Sequence, residues 1–125
     1  MARPYFDIST NSTNSAGLVT LIKFTINATN PVRITEISLL PDSAFQTYGK
    51  FALKISGLGQ IPITPQPLKA TLTIDTSKFE FKRKLADGSE VKGFVMLPNE
   101  TIEILAQSDG TNTVSISAMI VGEEL

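Results

Sequence analysis

The chain contains no cysteine, no histidine and no tryptophan. Without cysteine there is neither a disulfide framework nor a thiolate nucleophile, and without histidine there is no imidazole base or imidazole metal ligand. Zinc fingers and hydrolases that pair a nucleophile with histidine are therefore excluded within one chain. Missing cysteines leave the redox compartment open. An excess of one charge sign is lacking as well: 11 Lys and Arg stand against 12 Asp and Glu, a net charge of -1. Holding a phosphate backbone requires clustered cations that release condensed counterions, so no nucleic-acid partner is expected. The one local excess, Lys82-Arg83-Lys84, is followed by Asp87 and Glu90 and reads as a solvated strand end or hairpin flank. Long hydrophobic runs are missing too. Nothing approaches the ~18 apolar residues of a membrane helix, so no membrane span is expected. The opening Met1 to Asp7 carries no apolar core of signal-peptide length, and no signal peptide is read in the given chain.

What is present is apolar content, 42% of 125 residues, enough for the core of one globular domain. Its pattern has period two. Leu68, Ala70, Leu72 and Ile74 alternate with polar residues, as do Ile102, Ile104 and Ala106, and then Val114, Ile116, Ala118 and Ile120. Such spacing puts one face of each strand on a core and the other in solvent. Ile22, Phe24 and Ile26 mark an earlier strand, and Phe51, Leu53 and Ile55 a middle one. Val32 and Ile34 keep one phase while Ile37 and Leu39 keep the other, which predicts a bulge near Thr35-Glu36. Phe79 to Lys84 and Glu90 to Leu97, the latter interrupted by Gly93, flank the tight-turn pair Asp87-Gly88. Ser108 to Asn112 reads as a longer hairpin loop between the last two strands, and Ile61 to Pro67 as a proline-spaced edge or connection. Only Asp42 to Lys50 lacks alternation, leaving room for a turn or two of helix.

About eight such strands predict an all-β protein: an antiparallel β-sandwich, jelly-roll-like, because one sheet cannot cover the apolar faces of eight strands. An immunoglobulin-like sandwich is the alternative, disfavoured by the missing Trp and cysteine pair. Residues 17–125 read as a single sandwich domain. Residues 1–16 read as an N-terminal arm or edge strand followed by a polar loop, since Ser9 to Gly17 is a low-complexity polar tract. Tyr5, Phe6 and Ile8 are the candidate subunit-docking residues of that arm, by strand addition, with the polar tract as a hinge.

Catalytic residues are not assigned. The twelve carboxylates are scattered over turns and polar strand phases, and Gly57-Leu58-Gly59 lacks the third glycine and following helix of a phosphate cradle. No enzyme activity, cofactor or metal site is expected; Asp109-Gly110-Thr111-Asn112 has the flavour of a calcium loop but no Asp-x-Asp spacing. Phe45, Gln46 and Tyr48, in the irregular segment between two strands, form the candidate ligand or partner loop, for instance for a host-surface glycan.

The stretch from Met96-Leu97-Pro98-Asn99-Glu100 through the alternating strand Thr101 to Gln107, the Ser108-Asp109-Gly110 turn and the final strand ending near Gly122-Glu123 resembles the closing hairpin of small β-sandwich virion proteins. The resemblance covers about a quarter of the chain. It implies a jelly-roll capsid, decoration, turret or spike component, commonly a symmetric oligomer. The expected function is thus a non-enzymatic virion structural protein acting through protein-protein assembly, as a homo-oligomer (trimer or pentamer) with other virion proteins, located in a virion or extracellularly. The alternatives are a carbohydrate- or cell-surface-binding module and an extracellular filament subunit.

Overall fold

The computed structural model describes residues 3–56 and 59–125; Gly57 and Leu58 of the glycine pair lie outside the described residues. Its elements are β1 (Arg3–Thr13), β2 (Val19–Thr25), β3 (Val32–Pro41), α1 (Ser43–Tyr48), β4 (Lys50–Ile55), β5 (Gly59–Pro67), β6 (Leu72–Asp75), a 3₁₀ turn (Thr76–Lys78), β7 (Lys82–Lys84), β8 (Glu90–Lys92), β9 (Val95–Met96), β10 (Thr101–Gln107) and β11 (Val114–Glu124). One sheet has the order β1-β11-β3-β6, with β9 also on β3. The second has the order β2-β10-β4-β5, and β7 and β8 form a separate hairpin. The protein is an all-β antiparallel sandwich whose sheets curl into a half-barrel.

With the short β7, β8 and β9 set aside, eight strands remain and their pairing follows one rule. First pairs with last (β1 with β11), second with seventh (β2 with β10), third with sixth (β3 with β6) and fourth with fifth (β4 with β5). Rolling up a single long antiparallel ribbon leaves that pattern, and the rolling also brings β11 against β3 and β10 against β4. This is jelly-roll order. The hairpin β7–β8 and strand β9 are an insertion between the sixth and seventh strands of the roll.

Alternation fills the space between the sheets. Ile102, Ile104 and Ala106 of β10 face inward from one sheet, and Val114, Ile116, Ala118 and Ile120 of β11 from the other, all buried. β10 pairs with β2 and β4 while β11 pairs with β1 and β3, so the two strands belong to opposite sheets, and Ser108–Asn112 is an arch between sheets where a hairpin loop was expected. Asp109 shapes the arch by accepting from the backbone N–H groups of Thr111 (2.9 Å) and Asn112 (2.8 Å), while Gly110 takes φ 90°.

Two expected strands are shorter than their alternation. Of Leu68 to Asp75, only Leu72–Asp75 is in a ladder. Leu68 is buried but Ala70 is exposed, because this stretch turns the corner from β5 in one sheet to β6 in the other. Of Phe79 to Lys84, only Lys82–Lys84 is extended in a pair. Phe79 and Phe81 instead pack with Phe94 in an aromatic group, ring centroids 5.6–6.3 Å apart. Gly93 breaks Glu90 to Leu97 as its position indicated, with φ 108°.

The bulge lies where the phase change put it. Val121 pairs with Glu36 and Gly122 with Ile34, so Thr35 has no partner across the ladder and donates its hydroxyl to the Val121 carbonyl. The extra residue lets Val32 and Ile34, and equally Ile37 and Leu39, point into the core. The polar tract is ordered differently from its composition: Ser9 to Thr13 continue β1, in register with Ala118 to Val114, and only 14–18 turn toward β2. Threonine and serine suit a pleated edge once a partner strand supplies the ladder.

Candidate functional site

The outer face of the β1-β11-β3 sheet carries three of the exposed large apolar side chains among the described residues, Phe6, Ile8 and Leu40. Phe6 (70% exposed) and Ile8 (62%) stand on β1 opposite Val121 and Met119 of β11, which are half-buried. Leu40 (49% exposed) lies on β3 of the same sheet, opposite Ser117. Period two accounts for the placement: the even residues of β1 share the face of the odd residues of β11. The third arm residue, Tyr5, points the other way. It is half-buried against the core and its hydroxyl accepts from the Asn27 N–H at 3.0 Å. The structure therefore brings Phe6 and Ile8 together and separates Tyr5 from them, and it pairs the whole arm with β11 of its own chain.

Phe45, Gln46 and Tyr48 fall on α1, which closes one end of the sandwich. Asp42 caps it, accepting from the Phe45 N–H at 2.7 Å. Phe45 is wholly buried, so it cannot serve as an exposed platform. Gln46 is half-buried and its carbonyl accepts from Lys69 Nζ (2.8 Å). Tyr48, 45% exposed, is the one ring this segment offers to solvent.

A cleft of about 300 Å³ opens beside the insertion, lined by Arg33, Thr76, Phe79, Lys92 and Phe94 among others. Its polar groups already have partners. Arg33 meets Glu123 at 3.7 Å, Lys92 meets Glu80 at 3.4 Å, and Thr76 donates to the Ile34 carbonyl. The basic triplet proves to be divided. Lys82 and Lys84 are exposed, but Arg83 turns inward to a bidentate pair with Glu100 (2.5 and 2.8 Å) and donates to the Val95 carbonyl. Sequence reading missed this clamp, because the residues are 17 apart and nothing local links them. Alternation within the triplet was the available signal. Burial pushes the Glu100 carboxyl up, but the Arg83 guanidinium and the Leu97 N–H outweigh it, so it sits below the ordinary carboxylate range. Glu100 in turn raises Arg83.

The Asp109 carboxylate is spent on its own turn. Backbone N–H groups of Asn112 and Thr111, with the Asn112 side chain, lower its pKa from 3.8 to about 2. A folded-state pKa below the unfolded value contributes stability that is complete above the unfolded value and is lost as pH falls through the folded one. Urea midpoints should accordingly decline between pH 3.8 and about 2, and Asp109→Asn should flatten part of that decline. An identical acid profile for the variant would refute the assignment. Among the described residues no group of three or more acidic side chains is placed to hold a metal ion, and no helix is long and apolar enough to cross a membrane.

No protein-family model matches the chain, and no curated protein matches it by sequence. Among solved structures it is similar in fold to the crystal structure of FLHE, with a TM-score of 0.54 at 10% identity, over 98% of this chain and 96% of that one. At that identity the likeness extends to the fold alone.

Proposed function

We propose that this chain is a non-enzymatic structural protein that works by protein-protein assembly, and that its setting is a virus particle, as a capsid, decoration, turret or spike component. The observation that carries the reading is the outer face of β1-β11-β3. Isolated exposed apolar residues are ordinary on any protein, whereas Phe6 and Ile8 adjoin Val121 and Met119 in one group at a sheet margin, the kind of surface that marks an interaction site. Jelly-roll order adds support, since capsid proteins use it. Lectins and cupins use it too, so the fold by itself does not choose. The glycan-binding alternative draws less support: with Phe45 in the core, α1 presents a single ring.

Native mass spectrometry tests the proposal. A trimer or pentamer is expected for the unaltered chain, and the double variant Phe6→Ser, Ile8→Ser should shift it to monomer. Its thermal melt should stay within a few degrees, because neither side chain belongs to the core. An unaltered chain that remains monomeric at high concentration would sink the assembly reading. The virion setting is tested separately, by whether the chain is found at fixed copy number in purified particles.

A further inference from the structure

Strand β1 combines two properties. It is paired with β11 at eleven successive positions, from Arg3 opposite Glu124 to Thr13 opposite Val114, and not one of its residues is buried. β11 buries four of its own. Side-chain anchoring of β1 beyond its own sheet comes from Tyr5, packed against the core with its hydroxyl at the Asn27 N–H in the β2–β3 connection, and from Asn11, whose amide donates to the Leu21 carbonyl of β2 at 2.9 Å. Its place in the fold therefore rests mainly on the backbone ladder. A ladder is indifferent to which copy of the chain supplies the strand.

The opposite edge of β1 is partly blocked to further pairing. The Ile8 N–H donates to Asp7 Oδ1 (2.9 Å) and the Ser12 N–H to Asn11 Oδ1 (2.8 Å), so side chains occupy donors that another strand would need. Growth by adding a strand outside β1 is disfavoured in this way. The residues that join β1 to β2, 14–18, include Gly17 and span about 17 Å when extended.

We infer that β1 exchanges between copies of this chain: released from its own β11, it takes the same eleven-position register on the β11 of a second copy, whose β1 is returned or passed on. Exchange of an identical element is a low-cost route to oligomers, because each ladder that is lost is replaced by its equal. The tether holds β1 at high effective concentration in its own molecule. Exchange accordingly wins where chains are crowded or where the reciprocal pair adds contacts. The inference rests on the assembly reading above and names the element that passes between copies.

The absence of cysteine makes the test clean. Thr10 and Ser117 face each other on β1 and β11 with their hydroxyl oxygens 2.8 Å apart. The double variant Thr10→Cys, Ser117→Cys should close an intrachain disulfide, which establishes that the two positions meet. The two single variants are then mixed under mild oxidation. Within one molecule neither has a partner thiol, so random collision links like and unlike variants alike, and only an exchanged strand raises the heterodimer above that level. The expected result is heterodimer several-fold above the homodimer background of each single variant alone, rising with protein concentration. Heterodimer no higher than that background, with the double variant closing readily, overturns the inference. If the double variant does not close, Ser12→Cys with Ser115→Cys, paired two positions further along, replaces it and the same outcomes decide. Failure of exchange and failure of assembly remain distinguishable. An oligomer by native mass that never cross-links in the mixture removes exchange alone, and a monomeric chain that does cross-link keeps exchange and removes the apolar face.

Discussion

Phe45→Ala should lower the unfolding free energy by about 3–5 kcal/mol, the range for deleting a fully buried aromatic side chain. α1 has six residues, too few for a helix to hold itself in water. Two things fix it: the Asp42 cap, and the Phe45 ring inserted into the end of the sandwich. Gly49 completes the seat, since a β-carbon there would come within 2.6 Å of the ring. The backbone under the ring cannot follow it inward, because β4 begins at Lys50 and is paired on both sides, with β5 and β10. A cavity would remain, with its full cost. Guanidinium denaturation of Phe45→Ala against Tyr48→Ala measures this directly. The exposed tyrosine should change stability by less than about 0.5 kcal/mol, and a loss below about 1 kcal/mol for Phe45→Ala would contradict the core assignment.

Gly122→Ala is expected to cost toward the upper end of the roughly 1–3 kcal/mol typical of overpacking. A β-carbon at this position would run into the Arg33 carbonyl, which is backbone, so no rotamer change relieves the contact. Neither strand can retreat. Val121 and Gly122 are held to Glu36 and Ile34, and Arg33 is paired on its other side with Val95. The close approach is a consequence of the bulge at Thr35. Deleting Thr35 in the same chain should not rescue Gly122→Ala, because removing one residue would turn Val32 and Ile34 from the core to the opposite face. Thermal unfolding of the single and double changes tests this: a double variant more stable than Gly122→Ala alone would show the bulge to be dispensable.

The bulge and the arch show how much of the fold could be read in advance. The phase change between Ile34 and Ile37 located the bulge to within a residue, because a pleated strand permits only one extra residue to reconcile two buried faces. The same period-two logic placed β2, β4, β10 and β11. It could not assign strands to sheets: Ile102 to Ala106 and Val114 to Ile120 read alike whether they form a hairpin or face each other across a core, and only the packing made Ser108–Asn112 an arch.

The candidate surfaces divide in the same way. Exposure of Phe6 and Ile8 follows from alternation once β1 has a partner, but the sequence contains nothing to name β11 as that partner, more than 100 residues away. Phe45 and Tyr48 stand three apart in an irregular stretch, and only the six-residue helix decides that one ring is core and the other surface. Arg83 and Glu100 looked like solvated charge until the insertion folded back over the turn at Leu97 to Glu100.

Sequence by itself determined the strand character of the chain, its bulge, its turns and the chemistry it cannot perform, because side-chain period, glycine and proline conformations and missing functional groups are local properties. Tertiary structure alone decided which strands pair within the jelly roll, the inward turn of Arg83, the burial of Phe45 and the pairing of an unburied β1 with the last strand. Those depend on which distant segments share a ladder or a core, and contacts over that separation leave no periodic trace in a single chain.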